Sequence, residues 1–124
     1  MLTLTHVENS NILEFTLDGD FSRADFDQVA QQMEALIDQY GTIKLIEIVR
    51  SIGSIEPSAL WEDFKFAPKH LKHFSQVAVV ADQKWIGWLS KMVKPMIPGE
   101  VRHFELSQLQ QARDWIHGVE PVTV

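Results

Sequence analysis

Five segments of the chain carry the apolar patterns that are typical of β-strands. The first two alternate apolar and polar residues and are separated by turn residues, which predicts a hairpin. The third and fourth are nearly continuous in apolar residues, which predicts strands covered on both faces at the centre of a sheet. The five predicted strands are residues 2–7, 12–17, 43–49, 75–81 and 101–106.

A long helix is predicted between the second and third strands. Ser22 stands at the N-cap position and Asp25 follows three residues later, which is the spacing of a capping box. Apolar residues then recur at helical spacing from Phe26 to Tyr40. Gly41 follows at the position where helices often end, so the helix is predicted to stop there.

A second helix is predicted to open at Pro57 and Ser58, because proline is tolerated in the first turn. Pro68 interrupts this helix, so residues 69–74 form either a kinked last turn or a short second helix.

A last helix is predicted over residues 108–117, with Ser107 as its N-cap. Strands and helices alternate from residue 12 onward, which favours a parallel sheet with right-handed crossovers. We therefore predict a single α/β domain over residues 1–124. It has a mixed, mostly parallel sheet of about five strands and four to five helices.

The segment 84–98, KWIGWLSKMVKPMIP, has too many apolar side chains for an ordinary surface helix. They fill an arc of roughly 180°, whereas a stripe that faces a core needs about 100°. The remaining arc carries lysines without acidic partners, a composition typical of helices that lie in a lipid interface. A helix held between the sheet and a neighbouring subunit would bury the same arc, so a homo-oligomer is the alternative explanation.

The composition fits one domain with a hydrophobic core. The chain has 124 residues, 45% of them hydrophobic, and no linker rich in proline and glycine. It has no cysteine, which excludes disulfides, a thiolate nucleophile and a Cys-based zinc site. No apolar run approaches the ~18 residues of a spanning helix, and the first residues lack a secretory pattern. We therefore expect a cytoplasmic protein.

The net charge of −6 is unevenly distributed. Residues 1–63 carry twelve acidic and three basic residues, a balance of −9, whereas residues 64–124 carry five acidic and eight basic residues, a balance of +3. An acidic protein without a stripe of arginines is a poor match for nucleic acid, because phosphate would repel it at long range. The lysines between residues 65 and 94 fit an anionic bilayer or an acidic ligand, although a solvated helical face also explains them.

No catalytic constellation is evident in the sequence. The glycines stand singly rather than in a phosphate-binding loop, and no serine lies in a nucleophile elbow. His70 and His73 have a helical spacing, but the nearest acidic residues that would complete a metal site lie beyond Pro68. We therefore predict no catalytic residue, no metal site and no cofactor.

Three stretches of the chain carry a resemblance to a known family. They are ALWEDFKFAPKH from Ala59, FSQVAVVADQKW from Phe74 and GEVRHFELSQLQQARDWI from Gly99. In combination they resemble the SpoIIAA-like family over nearly the whole chain. The resemblance implies a βα superhelix similar to STAS domains and to the lipid-carrying CRAL-TRIO proteins. It also implies helices that separate over the sheet to admit a ligand, with membrane association proposed for some members.

The resemblance has a second, regulatory implication. Anti-sigma-factor antagonists of the STAS type are switched by phosphorylation of a serine at the start of the helix that follows a central strand. The corresponding region here, residues 50–58, departs from the usual Asp-Ser-Ser-Gly pattern, and Ser54 and Ser58 are the nearest candidates. A helix N-terminus would stabilise the added negative charge, but a serine there is more simply an N-cap.

Residue patterns and resemblance together predict a non-enzymatic module that takes an apolar or amphiphilic, lipid-like ligand between two mobile helices. The module is expected to associate peripherally with the inner face of the membrane. The predicted ligand-binding residues are Trp61, Phe64, Lys65, Trp85, Leu89 and Met92. The predicted membrane-contacting residues are Ile86, Trp88, Lys91, Val93, Lys94, Met96 and Ile97. The alternative is a STAS-type switch in protein–protein interaction, resembling an anti-sigma-factor antagonist.

Overall fold

Five strands form one mixed sheet in the computed structural model, which describes residues 2–55, 71–82 and 99–118. Their order across the sheet, β1-β2-β3-β4-β5, is their order in the chain. β1 and β2 form an antiparallel hairpin, and β2 to β5 run parallel, as the sequence predicts. The strands are β1 Leu2–His6, β2 Ile12–Phe21, β3 Ile43–Ile55, β4 Phe74–Ala81 and β5 Glu100–Phe104.

Helix α1, Arg23–Tyr40, has the ends that the sequence predicts. The Asp25 N–H donates to Ser22 Oγ at 3.1 Å, and the Ser22 N–H donates to Asp25 Oδ2 at 3.0 Å, which completes the capping box. At the other end Gly41 has φ of 82°, and its N–H donates to the Ile37 carbonyl at 2.7 Å. A positive φ is readily adopted by glycine because it has no Cβ, so the helix ends here.

Helix α2, Leu109–His117, starts differently from the prediction that Ser107 caps it. A 3-10 turn, Leu106–Gln108, leads into the helix. The Glu105 N–H donates to Gln108 Oε1 at 3.0 Å, and the Gln108 N–H donates to the Glu105 carbonyl at 2.8 Å. The Ser107 prediction is wrong because this tighter turn shifts the cap away from Ser107.

The two helices lie on opposite faces of the sheet. α1 packs on the face formed by side chains such as Leu13, Leu45 and Val77, whereas α2 packs on the face that includes Ile46 and Val80. Because successive side chains of a strand point to opposite faces, β3 and β4 contribute to both cores. This confirms the prediction that the two strands richest in apolar residues lie at the centre of the sheet.

The described residues contain two α-helices, fewer than the four to five predicted. The predicted helix that opens at Pro57 and the one in segment 84–98 lie outside the described residues. Within the predicted helical turn 69–74, the described part is a 3-10 turn, Leu71–His73, and Phe74 already begins β4. The mixed, mostly parallel five-stranded sheet is therefore confirmed, whereas the helix count is not reached within the described ranges.

Candidate functional site

The carboxyl ends of the four parallel strands meet at one edge of the sheet, and this edge is the candidate functional site. Open α/β sheets bind ligands outside the carboxyl ends of their strands, in a crevice where the strand order reverses. Here the order follows the chain without a reversal. Among the described strands the sheet itself therefore opens no crevice, and a ligand site at this edge has to be built by the connections between strands.

β2 and β3 extend beyond the other strands at this edge. β3 pairs with β4 as far as Val49, which lies opposite Ala81. Beyond that point β3 continues along β2 alone, with pairs that include Asp18 opposite Ser51. Arg50 has no opposite residue, because the register shifts there, and the irregularity is a β-bulge. The result is a two-stranded parallel extension at the carboxyl edge.

A side-chain hydrogen bond joins the two strands of this extension. Ser51 Oγ donates to Asp18 Oδ1 at 2.6 Å, and both side chains are exposed. In the next part of β2, Gly19 adopts φ of 99°. This is a conformation that glycine adopts without steric cost, so Gly19 allows the irregular register.

A shallow depression lies beside the ends of β4 and β5. It is lined by Asp82, Glu105, Leu106 and Ser107. Together with Asp18 and Asp20, these residues place four exposed carboxylates along the described part of the carboxyl edge. Arg50 is also exposed at this edge, so the balance of charge there is still negative, which disfavours an anionic ligand group directly on it.

Most of the residues that the sequence predicts for the site lie outside the described residues. This holds for the predicted ligand-binding set, the predicted membrane-contacting set and Ser58. Ser54 is described only in its backbone, and it lies within β3 rather than in a loop before a helix. The sequence predicts that the third strand ends at residue 49, with a loop rich in serine and glycine from Arg50 to Glu56. This is wrong up to Ile55, because pairing with β2 keeps this part of the chain extended.

The sequence did not reveal the extension or its Asp18–Ser51 contact. Asp18, Gly19 and Asp20 are residues typical of turns, and the apolar run that predicts β3 ends at Val49, before Arg50 and Ser51. No local signal identifies this contact, because it depends on the register between two distant segments.

The described part of the chain contains neither a cluster of metal ligands nor a helix that could span a membrane. No group of three or more His, Cys, Asp or Glu side chains within it is arranged to hold a metal ion. His73 instead makes a structural contact, since its Nδ1 lies 3.1 Å from the Gly41 carbonyl oxygen. No helix among these residues has both the length and the apolar character needed to cross a bilayer.

The comparison with protein families agrees with this geometry. The model of the SpoIIAA-like family matches residues 12–117, which includes both described helices and four of the five strands. The chain belongs to the SpoIIAA-like family. The resemblance noted in the sequence is thereby confirmed, and the domain is STAS-like in its fold.

A solved structure shows the same SpoIIAA-like architecture. It is the crystal structure of an uncharacterized protein of the DUF3478 family from Shewanella loihica PV-4, described as having a SpoIIAA-like fold. The two structures superpose with a TM-score of 0.70 at 21% sequence identity, over 94% of this chain and 92% of that chain. No curated protein sequence matches the chain. At this identity the solved structure establishes the fold and carries no further functional information.

Proposed function

We propose that this SpoIIAA-like domain is a non-enzymatic binding module for an apolar or amphiphilic, lipid-like ligand. The ligand lies between the two connections that follow β3 and β4. One observation carries the proposal: β3 and β4 are adjacent and parallel, and β4 ends at Ala81 opposite Val49, whereas β3 continues in the same direction to Ile55. The connections 56–70 and 83–98 therefore leave the sheet from neighbouring strands at the same edge.

The composition of these two connections supports an apolar ligand. The first contains Trp61 and Phe64, and the second contains Trp85 and Leu89. Ligand pockets are lined mainly by apolar and aromatic side chains with a few polar groups that orient the ligand. Since the sheet order provides no crevice of its own, a site between the connections is the arrangement that this topology favours.

The distribution of charge favours the lysines of the two connections as the position for the polar head group of an amphiphile. The described carboxyl edge is acidic, whereas the connections carry lysines such as Lys65, Lys91 and Lys94. An anionic head group is therefore attracted to the lysines of the connections and repelled by the sheet edge. Lys91 and Lys94, with Trp88 and Met96 of the second connection, are also proposed to contact the membrane.

The first test looks for the ligand and for the volume that it occupies. We expect mass spectrometry of organic extracts of the native protein to find a bound lipid.

We also expect a fatty acid to quench tryptophan fluorescence in a saturable way. Leu89→Trp should abolish the saturable quenching, because the larger side chain fills the site. Tyr40→Trp is the matched control, since Tyr40 is exposed at the end of α1 and an added indole there occupies no pocket.

Two results would contradict the proposal. One is native protein without extractable lipid that also shows no saturable quenching. The other is saturable binding that Leu89→Trp leaves unchanged, which places the site away from the second connection.

A second candidate function is a STAS-type switch in protein interaction, which the position of Ser54 near the carboxyl end of β3 favours. Ser51 is a poor phosphosite, because a phosphate on its hydroxyl would face the Asp18 carboxylate that this hydroxyl now contacts. Ser54 and Ser58 therefore remain the candidates. A protein kinase that adds one phosphate at Ser58, together with lipid-free native protein, would favour this function over the first.

A further inference from the structure

β5 ends the described sheet, and it carries opposite charges on one face. The strand pairs with β4 along one of its long sides. Along its other long side it has no neighbouring strand among the described residues. Glu100 and Arg102 are exposed, with side-chain exposures of 66% and 57%. They are two positions apart, so they lie on the same face of the sheet. The Arg102 guanidinium lies over the Trp115 ring at 4.9 Å, which identifies this face as the one that α2 covers.

We propose that β5 pairs antiparallel with β5 of a second copy of this chain, which joins two sheets into one of ten strands. The two copies are related by a two-fold axis perpendicular to the sheet. This inference concerns a surface separate from the proposed ligand site and does not depend on it.

Symmetry restricts the register of such a pair. A two-fold axis perpendicular to the sheet keeps a given residue on the same face in both copies, and directly opposite residues must share a face. One residue therefore lies directly opposite its own copy, and the axis passes midway between these two copies. Such an axis is called an axis through that residue. At least three residues of each β5 lie opposite one another only when the axis passes through Val101, Arg102 or His103.

The charges select one of these three registers. An axis through His103 places Arg102 opposite Phe104, without facing opposite charges, and an axis through Arg102 places two arginines opposite each other. Like charges directly opposite are destabilising. An axis through Val101 instead places Glu100 of each copy opposite Arg102 of the other. Because each Arg102 already lies 3.6 Å from the Glu100 carboxylate of its own strand, four charges then alternate in sign.

Among the described elements, α2 packs on one face of β3, β4 and β5, and no described strand lies beyond β5. With the axis at Val101, residues 100–102 of each five-residue β5 lie opposite one another. This shared surface is small compared with the roughly 1,600 Å² of a standard interface, so the dimer is expected to be weak and reversible.

Crosslinking through the axis tests the register directly. The chain has no cysteine, so a single Val101→Cys is an unambiguous probe. Opposite residues of an antiparallel pair have Cβ atoms about 5 Å apart, near the range that a disulfide spans. We expect mild oxidation of this variant to give a covalent dimer. Thr3→Cys, at an exposed position of the opposite edge strand β1, is the matched control and should stay monomeric.

Charge exchange tests the electrostatic argument. Sedimentation equilibrium of the unmodified protein should show a concentration-dependent dimer. Glu100→Arg and Arg102→Glu should each weaken association by at least about tenfold, and the double exchange should restore it. Thr3→Arg should have no effect. Circular dichroism checks that each variant is folded. If Arg102→Glu does not fold, Glu100→Arg alone tests the charge argument, because it keeps the contact between Arg102 and Trp115.

Three results would overturn the proposal. They are a monomer at every concentration, a double exchange that stays monomeric while folded, and a crosslink at Thr3→Cys instead of Val101→Cys.

Discussion

Gly99 determines how closely the chain passes the start of β4. A Cβ at this position would lie 2.6 Å from the Ser75 carbonyl carbon and 2.7 Å from the Phe74 carbonyl oxygen, with the Ser75 carbonyl oxygen closer still. These are backbone atoms, which a side-chain rotation cannot move away. A glycine is therefore required immediately before β5, and the paired register of β4 and β5 depends on it.

We predict that Gly99→Ala destabilises the domain by about 1–3 kcal/mol, the usual cost of forcing extra atoms into a packed site. Urea denaturation measures the change. Gly118 is the control, because it has φ of 74° and no atom within 4 Å of an added Cβ. Asparagine tolerates a left-handed backbone. Gly118→Asn should therefore cost less than Gly118→Ala, whereas Gly99→Asn should be at least as damaging as Gly99→Ala. An unchanged midpoint for Gly99→Ala would refute the close approach.

At the scale of elements, polar contacts hold α2 on its face of the sheet in addition to its apolar side chains. Arg113 donates to both carboxylate oxygens of Glu14 in β2, at 2.7 and 3.0 Å. The hydrogen bond to Glu14 raises the pKa of Arg113 above its ordinary value, and partial burial opposes this effect. Arg113 therefore stays charged at neutral pH and in moderately alkaline solution. Lys44 Nζ also donates to the Ile116 carbonyl at the end of α2, at 3.4 Å.

A double-mutant cycle of Glu14→Ala and Arg113→Ala should show a coupling free energy of about 1 kcal/mol. The bidentate geometry favours the pair, while the 39% exposure of Arg113 limits it through solvent screening. Gln110 and Asp114 provide the matched control, because they are hydrogen-bonded at 3.0 Å on the exposed side of the same helix. Their cycle should give less, roughly 0.2–0.5 kcal/mol. Equal coupling in the two cycles would mean that the Glu14–Arg113 pair contributes no more than an exposed contact.

At the scale of the whole molecule, charge is separated between regions of the chain. The described carboxyl edge is acidic, and the lysines concentrate between residues 65 and 94. If the second connection is the membrane contact, the domain should orient on an anionic surface rather than bind with any face. Each basic residue near such a surface contributes about 1 kcal/mol.

We predict weak, reversible sedimentation with phosphatidylglycerol vesicles at low salt. Salt should release the protein, because exposed charges are screened beyond ~8 Å at physiological ionic strength. The double variant Lys91→Glu with Lys94→Glu should lose binding. Lys72→Glu is the control. Lys72 is exposed in the 3-10 turn before β4, so it lies at the opposite end of that strand from the second connection. Equal loss with Lys72→Glu would indicate a general charge effect and would contradict an oriented contact.

The candidate site was predictable from the sequence only in part. The aromatic and basic residues that the sequence assigns to ligand and membrane lie outside the described residues, so they stay predictions. The acidic carboxyl edge, by contrast, follows from the strand order, which brings Asp18, Asp82 and Glu105 to one end of the sheet. Residues so far apart in the chain cannot be assigned to one edge without the pairing of the strands.

The sequence by itself determined the strands of the sheet, the two ends of α1 and the family. These depend on local patterns: apolar runs, the Ser22–Asp25 capping box and a glycine at the helix end. The tertiary structure alone decided the β2–β3 extension, the close approach at Gly99 and the Glu14–Arg113 pair, whose residues are 99 positions apart. Each of these is set by register or packing between distant segments, and such contacts leave no periodic pattern in the chain.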